Sequence, residues 1–490
     1  MKGRRTPRPP VPRGVAAACV VVASQALAWG ASCGADTPSA ATPAPVTGLV
    51  ARYEMRFRED MTIDVVADFE PGLGTRFILD DGMDASLESI APRGVGSSEW
   101  TWSRNEFEAP GCAGGCTIRY HYDLPKAAAR FDTGDMVEKR AGAFVGTPSI
   151  WLVRPMGVSP SAEYTVGVTM PDAMDFEWGL ARREGRYVGV YDDADESPYA
   201  AMGKVRRFSI GTESQGFDVM IAGPDPAVGL EALLDWARGA LANVQTMFPA
   251  FPRVRPMLVI MVRHGDGIAD GTALGNGGAS IRIEIGDETT KEEIAGDWML
   301  THEMTHLTLP GLRRQHHWAE EGMAVYLEPI MRAKRGVVPV SDVWKEWFRD
   351  MHKGEPRGPA DPLDGTKAWG RTYWGGAIFW LECDVAIRSR APDPIAIGLP
   401  SGFQSVFTKG DISNKWSIEK LLGEMDAATG ATIVSETYAA QAPVGVNVDL
   451  DALWKKLGVS VEDGKTRFDD TAPLSAVRKA IVVGPTPTPR

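Results

Sequence analysis

The sequence predicts an α+β protein in which an antiparallel β-sandwich-like domain, residues 48–225, precedes a mainly helical domain, residues 226–470. Two observations predict it. Up to about residue 222 the chain breaks into short runs of β-branched and aromatic residues bounded by Gly, Pro, Asp and Ser; from PDPAVGLEALLDW onward, apolar residues recur at helical spacing. A third observation marks the junction: an almost wholly apolar run, VRPMLVIMVR, and a second short strand, IRIEI, separate the first long helix from the helices that follow.

Taken in order, residues 1–33 have the layout of an export signal. Lys2, Arg4, Arg5, Arg8 and Arg13 stand without an acidic neighbour before the apolar run VAAACVVVASQALA, Val15 to Ala28. That run is short for a membrane span, and no later segment reaches about 18 uninterrupted apolar residues. Two exits from the signal are open: cleavage near Ala26-Leu27-Ala28, or lipidation of Cys33 in GASC. Residues 34–47, GADTPSAATPAPVT, form a Pro/Ala/Thr linker in either case. The working protein is expected outside the cytoplasm, periplasmic, at the cell surface as a lipoprotein, or secreted, and it meets a membrane only through a lipid on Cys33. Loss of the five basic residues takes the formal charge from −12 to −17, and an acidic surface argues against nucleic acid as a partner.

The β-rich region is read from TIDVVADF (62–69), TIRYHYDL (117–124), YTVGVTM (164–170) and YVGVYDD (187–193). Within it, Cys112 and Cys116 in GCAGGC are candidates for a small disulfide loop in an oxidising compartment. A metal site on these two thiols lacks a further pair of cysteines or histidines nearby. Cys383 falls in an apolar helical pattern and reads as a small packed hydrophobe.

The helical domain opens with apolar residues at helical spacing from Leu230 to Met247, then the buried strand VRPMLVIMVR. The glycine-rich stretch HGDGIADGTALGNGGAS carries His264, Asp266 and Asp270, but their spacing completes no EF-hand loop, and it reads as a turn. Residues 471–490 form a tail that ends in the Pro-rich VGPTPTPR.

The chemistry lies in HEMTH, residues 302–306, predicted mid-helix in IAGDWMLTHEMTHLTL. Positions i and i+4 share one helix face, so His302 and His306 can aim two imidazoles at one ion, with Glu303 placed to deprotonate a bound water. Two imidazoles leave a catalytic zinc one protein ligand short. WAEEGMAVYLEPIMRAKRG begins a second amphipathic helix after a loop long enough for the chain to turn back, and Glu320 and Glu321 near its start are both candidates for the third ligand. His316 and His317, in the turn RRQHHW, are expected to line the cleft or face water.

HExxH followed by W-x-x-E-G-x-x-x-Y-x-E resembles the gluzincin zinc peptidases, the group that includes aminopeptidase N and the glycyl aminopeptidases. The resemblance implies a thermolysin-like, mainly helical peptidase domain and one Zn2+ held by His302, His306 and Glu321, the Glu directly before Gly322. It also implies Glu328 as a supporting carboxylate behind the ligands. TYWGGAIFWLECDVAIR (372–388) is similar to the Y-x-x-G segment of the same group, which gives Tyr373 a hydrogen bond to the oxyanion; taken alone, Tyr373 also fits an aromatic packed beside Trp369 and Trp374. Asp384, Arg388 and SIEKLLGEM (417–425) are similar to the glycyl aminopeptidase branch.

Two departures stand out. The segment between His306 and Glu321 is shorter than is usual in aminopeptidase N relatives, and the stretch expected to carry a G-x-M-E-N-like amine-holding Glu, GNGGASIRI (275–283), has no carboxylate before Glu284. The expected activity is hydrolysis of peptide or protein substrates by an exported zinc metallopeptidase, with Glu303 as general base. Its rival is a surface protein that keeps this fold without catalysis and binds peptides or proteins.

Overall fold

The computed structural model describes residues 48–80, 82–94, 101–130, 137–192, 196–212 and 214–483. The export signal, Cys33, the Pro/Ala/Thr linker and the last seven residues of the tail lie outside them.

Alternating apolar residues build the largest sheet. Its seven strands run in the order Ala181–Arg183, Arg186–Val190, Glu163–Thr169, Leu49–Phe57, Thr62–Phe69, Cys116–Asp123, Leu87–Gly94. In Leu49–Phe57 every second side chain from Ala51 onward is buried, the pattern of a sheet with one face on a core. The expected antiparallel arrangement needs one correction: Leu49–Phe57 pairs in parallel with Glu163–Thr169. More than a hundred residues separate these strands in the chain, so no hairpin forces them to run in opposite directions. Two four-stranded sheets, one containing Arg76–Ile78 and the other Ala143–Gly146, contribute to the same apolar cluster as the large sheet; Tyr53, Phe69, Phe77, Trp151 and Trp178 are among its members. Cys112 and Cys116 are joined by a disulfide at the entry to Cys116–Asp123.

A five-stranded sheet carries the chain toward the HEMTH segment, in the order Arg206–Gly211, Gly216–Ala222, Met257–Arg263, Ser280–Gly286, Ile268–Leu274. Its first two strands precede residue 225 in the chain. Met257–Arg263 is buried on both faces, which accounts for its unbroken apolar run. Leu258, Ile260 and Val262 face the helices, while Met257, Val259 and Met261 pack on Ala143, Val145 and Tyr199. Ile268–Leu274 is the edge strand and runs antiparallel to its neighbour.

Three backbones meet at the glycine-rich segment that follows this edge strand. Ala279 N–H donates to Gly179 O at 2.8 Å, and Asn276 and Gly277 N–H donate to Ile412 O and Ser413 O, each at 2.9 Å. A Cβ on Gly275 or Gly278 would overlap these backbones, so the glycines of GNGG allow close approach.

Two long helices, His317–Arg335 and Gly376–Arg390, pack against each other beyond the sheet. Trp380 Nε1 donates to Ala319 O at 2.9 Å. Asp384, fully buried, accepts from Tyr326 Oη (2.7 Å), Arg388 Nε (2.8 Å) and Leu399 N (2.7 Å). The carboxylate thereby ties both helices to the start of a third, Leu399–Lys409, with its charge matched by Arg388. Cys383 is a buried free thiol, as its apolar surroundings in the sequence suggested.

Candidate metal centre

The predicted single helix through HEMTH is two helices. Lys291–Gly296 ends where Asp297 turns extended, and Met299–His306 begins just beyond it, so HEMTH forms the last turns of an eight-residue helix rather than its middle. The physical reason is Asp297. Its carboxylate accepts from Met299 N and Leu300 N, both at 3.0 Å, and from Trp236 Nε1 at 2.9 Å, and so caps the new helix. A half-buried acid satisfied by three donors favours a fresh start there over a continuous helix.

The turn of HEMTH sets His302 and His306 on one face, and helix His317–Arg335 brings Glu321 to them. His302 Nε2 lies 3.2 Å from His306 Nε2 and 3.2 Å from Glu321 Oε2; His306 Nε2 lies 3.5 Å from the same oxygen. Among the described residues these three form the group able to hold a metal ion. Four ligands at the 2.0–2.1 Å bond lengths of zinc stand about 3.3 Å apart, so the triangle has the size of one face of a zinc tetrahedron. The donors are also of the right kind: two imidazoles and a carboxylate form the three-ligand set of catalytic zinc.

Glu321, not Glu320, completes the triangle. Glu320 Oε1 accepts from Leu312 N at 2.9 Å and Glu320 Oε2 lies 3.2 Å from His317 Nδ1. His317 Nε2 is then 3.2 Å from Glu321 Oε1, the oxygen turned away from His302. Burial opposes charge on Glu321, but His306, His302 and His317 together hold its carboxyl well below the usual range. The role of His317 was missed in the sequence, although its place four residues before Glu321 on one helix was a legible signal. His316 departs from expectation: it is buried, bonded through Nδ1 to Asp364 Oδ1 at 2.9 Å, in a network completed by Trp318 and Tyr438.

Glu303 is buried beside the triangle, and burial pushes its carboxyl up to about 8. A bound cation nearby would draw it back down. The edge strand Ile268–Leu274 passes directly over it: a Cβ on Gly271 would come within 2.9 Å of Glu303 Cγ and Oε1. That strand carries a carboxylate, Asp270, which accepts from Arg282 Nη1 at 2.8 Å.

Glu328 lies deeper on the same helix as Glu321. It accepts from Arg332 Nη1 at 2.9 Å, and burial pushes its carboxyl up to about 8. Among the described residues no hydrogen bond links it to His302, His306 or Glu321, so any support it gives the centre passes through the helix. Tyr373 sits in a five-residue π-helical turn, Arg371–Gly375, and its ring lies parallel to that of His302 at 6.2 Å. Such turns recur at functional sites because they rotate one side chain out of helical register.

Two glycines hold these parts together. Gly322 and Gly376 face each other where the two long helices cross, and a Cβ on either would fall closer than 3.0 Å to the backbone of the other. Gly322 follows Glu321 directly, and Gly376 stands three residues after Tyr373. The glycines of the two sequence motifs are therefore two halves of one contact.

No protein-family model matches the chain, and no curated protein matches it. Solved structures do. An aminopeptidase N family protein from Idiomarina loihiensis superposes with a TM-score of 0.62 at 14% identity, over 84% of this chain and 79% of its own. An M1 zinc metallopeptidase from Deinococcus radiodurans gives a TM-score of 0.50 at 14% identity, over 82% of this chain and 96% of its own. A mutant of that metallopeptidase bound to a Tyr-Ser-Ala substrate gives 0.51 at 13% identity, over 82% and 95%. The chain shares the fold of these aminopeptidase N family and M1 zinc metallopeptidase structures.

Proposed function

We propose that the chain is an exported zinc-dependent peptidase that hydrolyses peptide bonds with Glu303 as general base. The observation that carries the proposal is the triangle of His302 Nε2, His306 Nε2 and Glu321 Oε2, with edges of 3.2, 3.2 and 3.5 Å and Glu303 buried beside it. The fold shared with M1 zinc metallopeptidases, one of them solved with a tripeptide substrate, supports the same reading. Export rests on the basic and apolar layout of residues 1–33; no helix of the described residues is long and apolar enough to cross a membrane.

His302, His306 and Glu321 would hold one zinc ion. Bound there, zinc supplies Lewis acidity: it lowers the pKa of a water to about 7 and polarises the scissile carbonyl. Glu303 accepts the proton of the attacking water and passes it to the leaving nitrogen. The Tyr373 hydroxyl donates to the oxygen that gains negative charge. His317 holds Glu321 Oε1, which leaves Oε2 to face the histidines.

Two expected outcomes follow. His306→Ala loses zinc and hydrolysis together, read by metal analysis and by peptide cleavage on one sample; a variant that keeps one equivalent of zinc contradicts the assignment. His317→Ala lowers zinc affinity by about 10- to 100-fold, the usual effect of removing a partner behind a ligand, and competition with a fluorescent chelator measures it. Unchanged affinity would show that Glu321 needs no such partner.

A further inference from the structure

Arg282 is buried, yet it serves two distant segments of the chain at once. Its Nε and Nη2 donate to Glu138 Oε2, at 3.2 and 2.8 Å, and its Nη1 donates to Asp270 Oδ2 at 2.8 Å. Glu138, equally buried, lies in the β-rich region on strand Val137–Arg140, where Arg140 also pairs with it. Asp270 lies on the edge strand Ile268–Leu274. A planar guanidinium holds two carboxylates at fixed angles, which a single ammonium does not.

The edge strand needs such a holder. It pairs on one side only, with Ser280–Gly286, and its register shifts between Ile268 and Asp270, where Ala269 is an extra residue. Side chains alternate along a strand. Ile281 and Ile283 face the helices, so Arg282 and its partner Asp270 lie on the opposite face, and Gly271 is turned toward Glu303. A slip of one residue would exchange the faces and present Asp270 or Thr272 to Glu303, where Gly271 leaves no room for a Cβ. The bond from Arg282 forms only while Asp270 points away from the helices.

From this juxtaposition we infer that Arg282 is a positioning residue: braced by Glu138 of the β-rich region, it locks the bulged edge strand in the register that seats Gly271 over the general base. The inference rests on the peptidase reading for the role of Glu303, and it gives the β-rich region a part in the chemistry. Fixing register is the best-attested use of a buried ion pair, whose net contribution to stability is often small.

The test is hydrogen exchange of strand 268–274, read by mass spectrometry on the full chain with zinc added, together with kcat and KM for peptide cleavage. Replacing Arg282 leaves two acids without their partner and risks unfolding the chain, so its partners are replaced instead. Asp270→Ala removes the arm at the strand, where the side chain is 56% exposed, and Glu138→Gln weakens the brace. Each is expected to speed exchange over 268–274 on the order of tenfold, the loss of one charge-assisted hydrogen bond, and to leave helix His317–Arg335 unchanged. A fall in kcat on the order of tenfold is expected, with KM and zinc affinity within about twofold of the parent, the pattern of a misplaced catalytic group. The double variant is expected to lose no more than the worse single one, because both act through Arg282. Unchanged exchange in Asp270→Ala, faster exchange with unchanged kcat, a rise in KM alone, or additive losses in the double variant overturns the inference. Asp270→Ala decides alone if the buried variant does not fold. A parent chain that cleaves no peptide sinks the peptidase reading, and exchange over 268–274 then decides the clamp by itself.

Discussion

Glu303→Gln is expected to bind one equivalent of zinc as tightly as the parent chain and to lose peptide hydrolysis by about 10³-fold. The magnitude is that of removing a positioned general base, which contributes typically 10²–10⁴-fold. The amide keeps the shape of the side chain under Gly271, so the packing against the edge strand survives. It cannot accept a proton from water, and the neighbouring described carboxylates are otherwise committed: Glu321 faces the histidines, Glu320 is tied to Leu312 N and His317, Asp270 is held by Arg282, and Asp297 caps the helix. Hydrolysis undiminished in this variant would remove Glu303 from the mechanism.

Gly322→Ala and Gly376→Ala are expected to be among the most damaging single methyl additions in the chain. A core residue given an extra methyl costs about 1–3 kcal/mol when side chains can shift. Here the new Cβ meets the backbone of the facing helix at less than 3.0 Å, and backbone in a packed helix has little room to yield. We expect a loss of about 3 kcal/mol or more, read by chemical denaturation. The crossing also fixes Glu321 relative to Tyr373, so any folded fraction should show reduced zinc affinity as well. Stability within about 0.5 kcal/mol of the parent would show that the helices are not in contact at these glycines.

These examples show what was legible in the sequence. Local spacing alone placed His302, Glu303 and His306, because one helical turn puts i and i+4 together whatever surrounds them. Choosing Glu321 over Glu320 needed the family pattern; the structure supplies the physical reason, since the neighbouring acid is committed to Leu312 N. The strand-to-helix change near residue 226 and the buried strand 257–263 followed from periodicity. Features that depend on two distant segments were not legible. The parallel pairing of Leu49–Phe57 with Glu163–Thr169 and the meeting of Gly322 with Gly376 each require a partner that sequence spacing does not reveal. The glycines of the run 275–278 likewise answer the close approach of Gly179 and Ile412, both distant in the chain.

The most direct measurement is a peptide-library digest by the zinc-loaded protein, read by mass spectrometry, with the chelated protein as its control. The account predicts cleavage that disappears on chelation, returns with one equivalent of zinc, and reports by its cut positions whether ends or interiors of peptides are preferred. One tightly bound equivalent of zinc with an intact library would contradict it, and would make this chain a binding protein built on a peptidase fold.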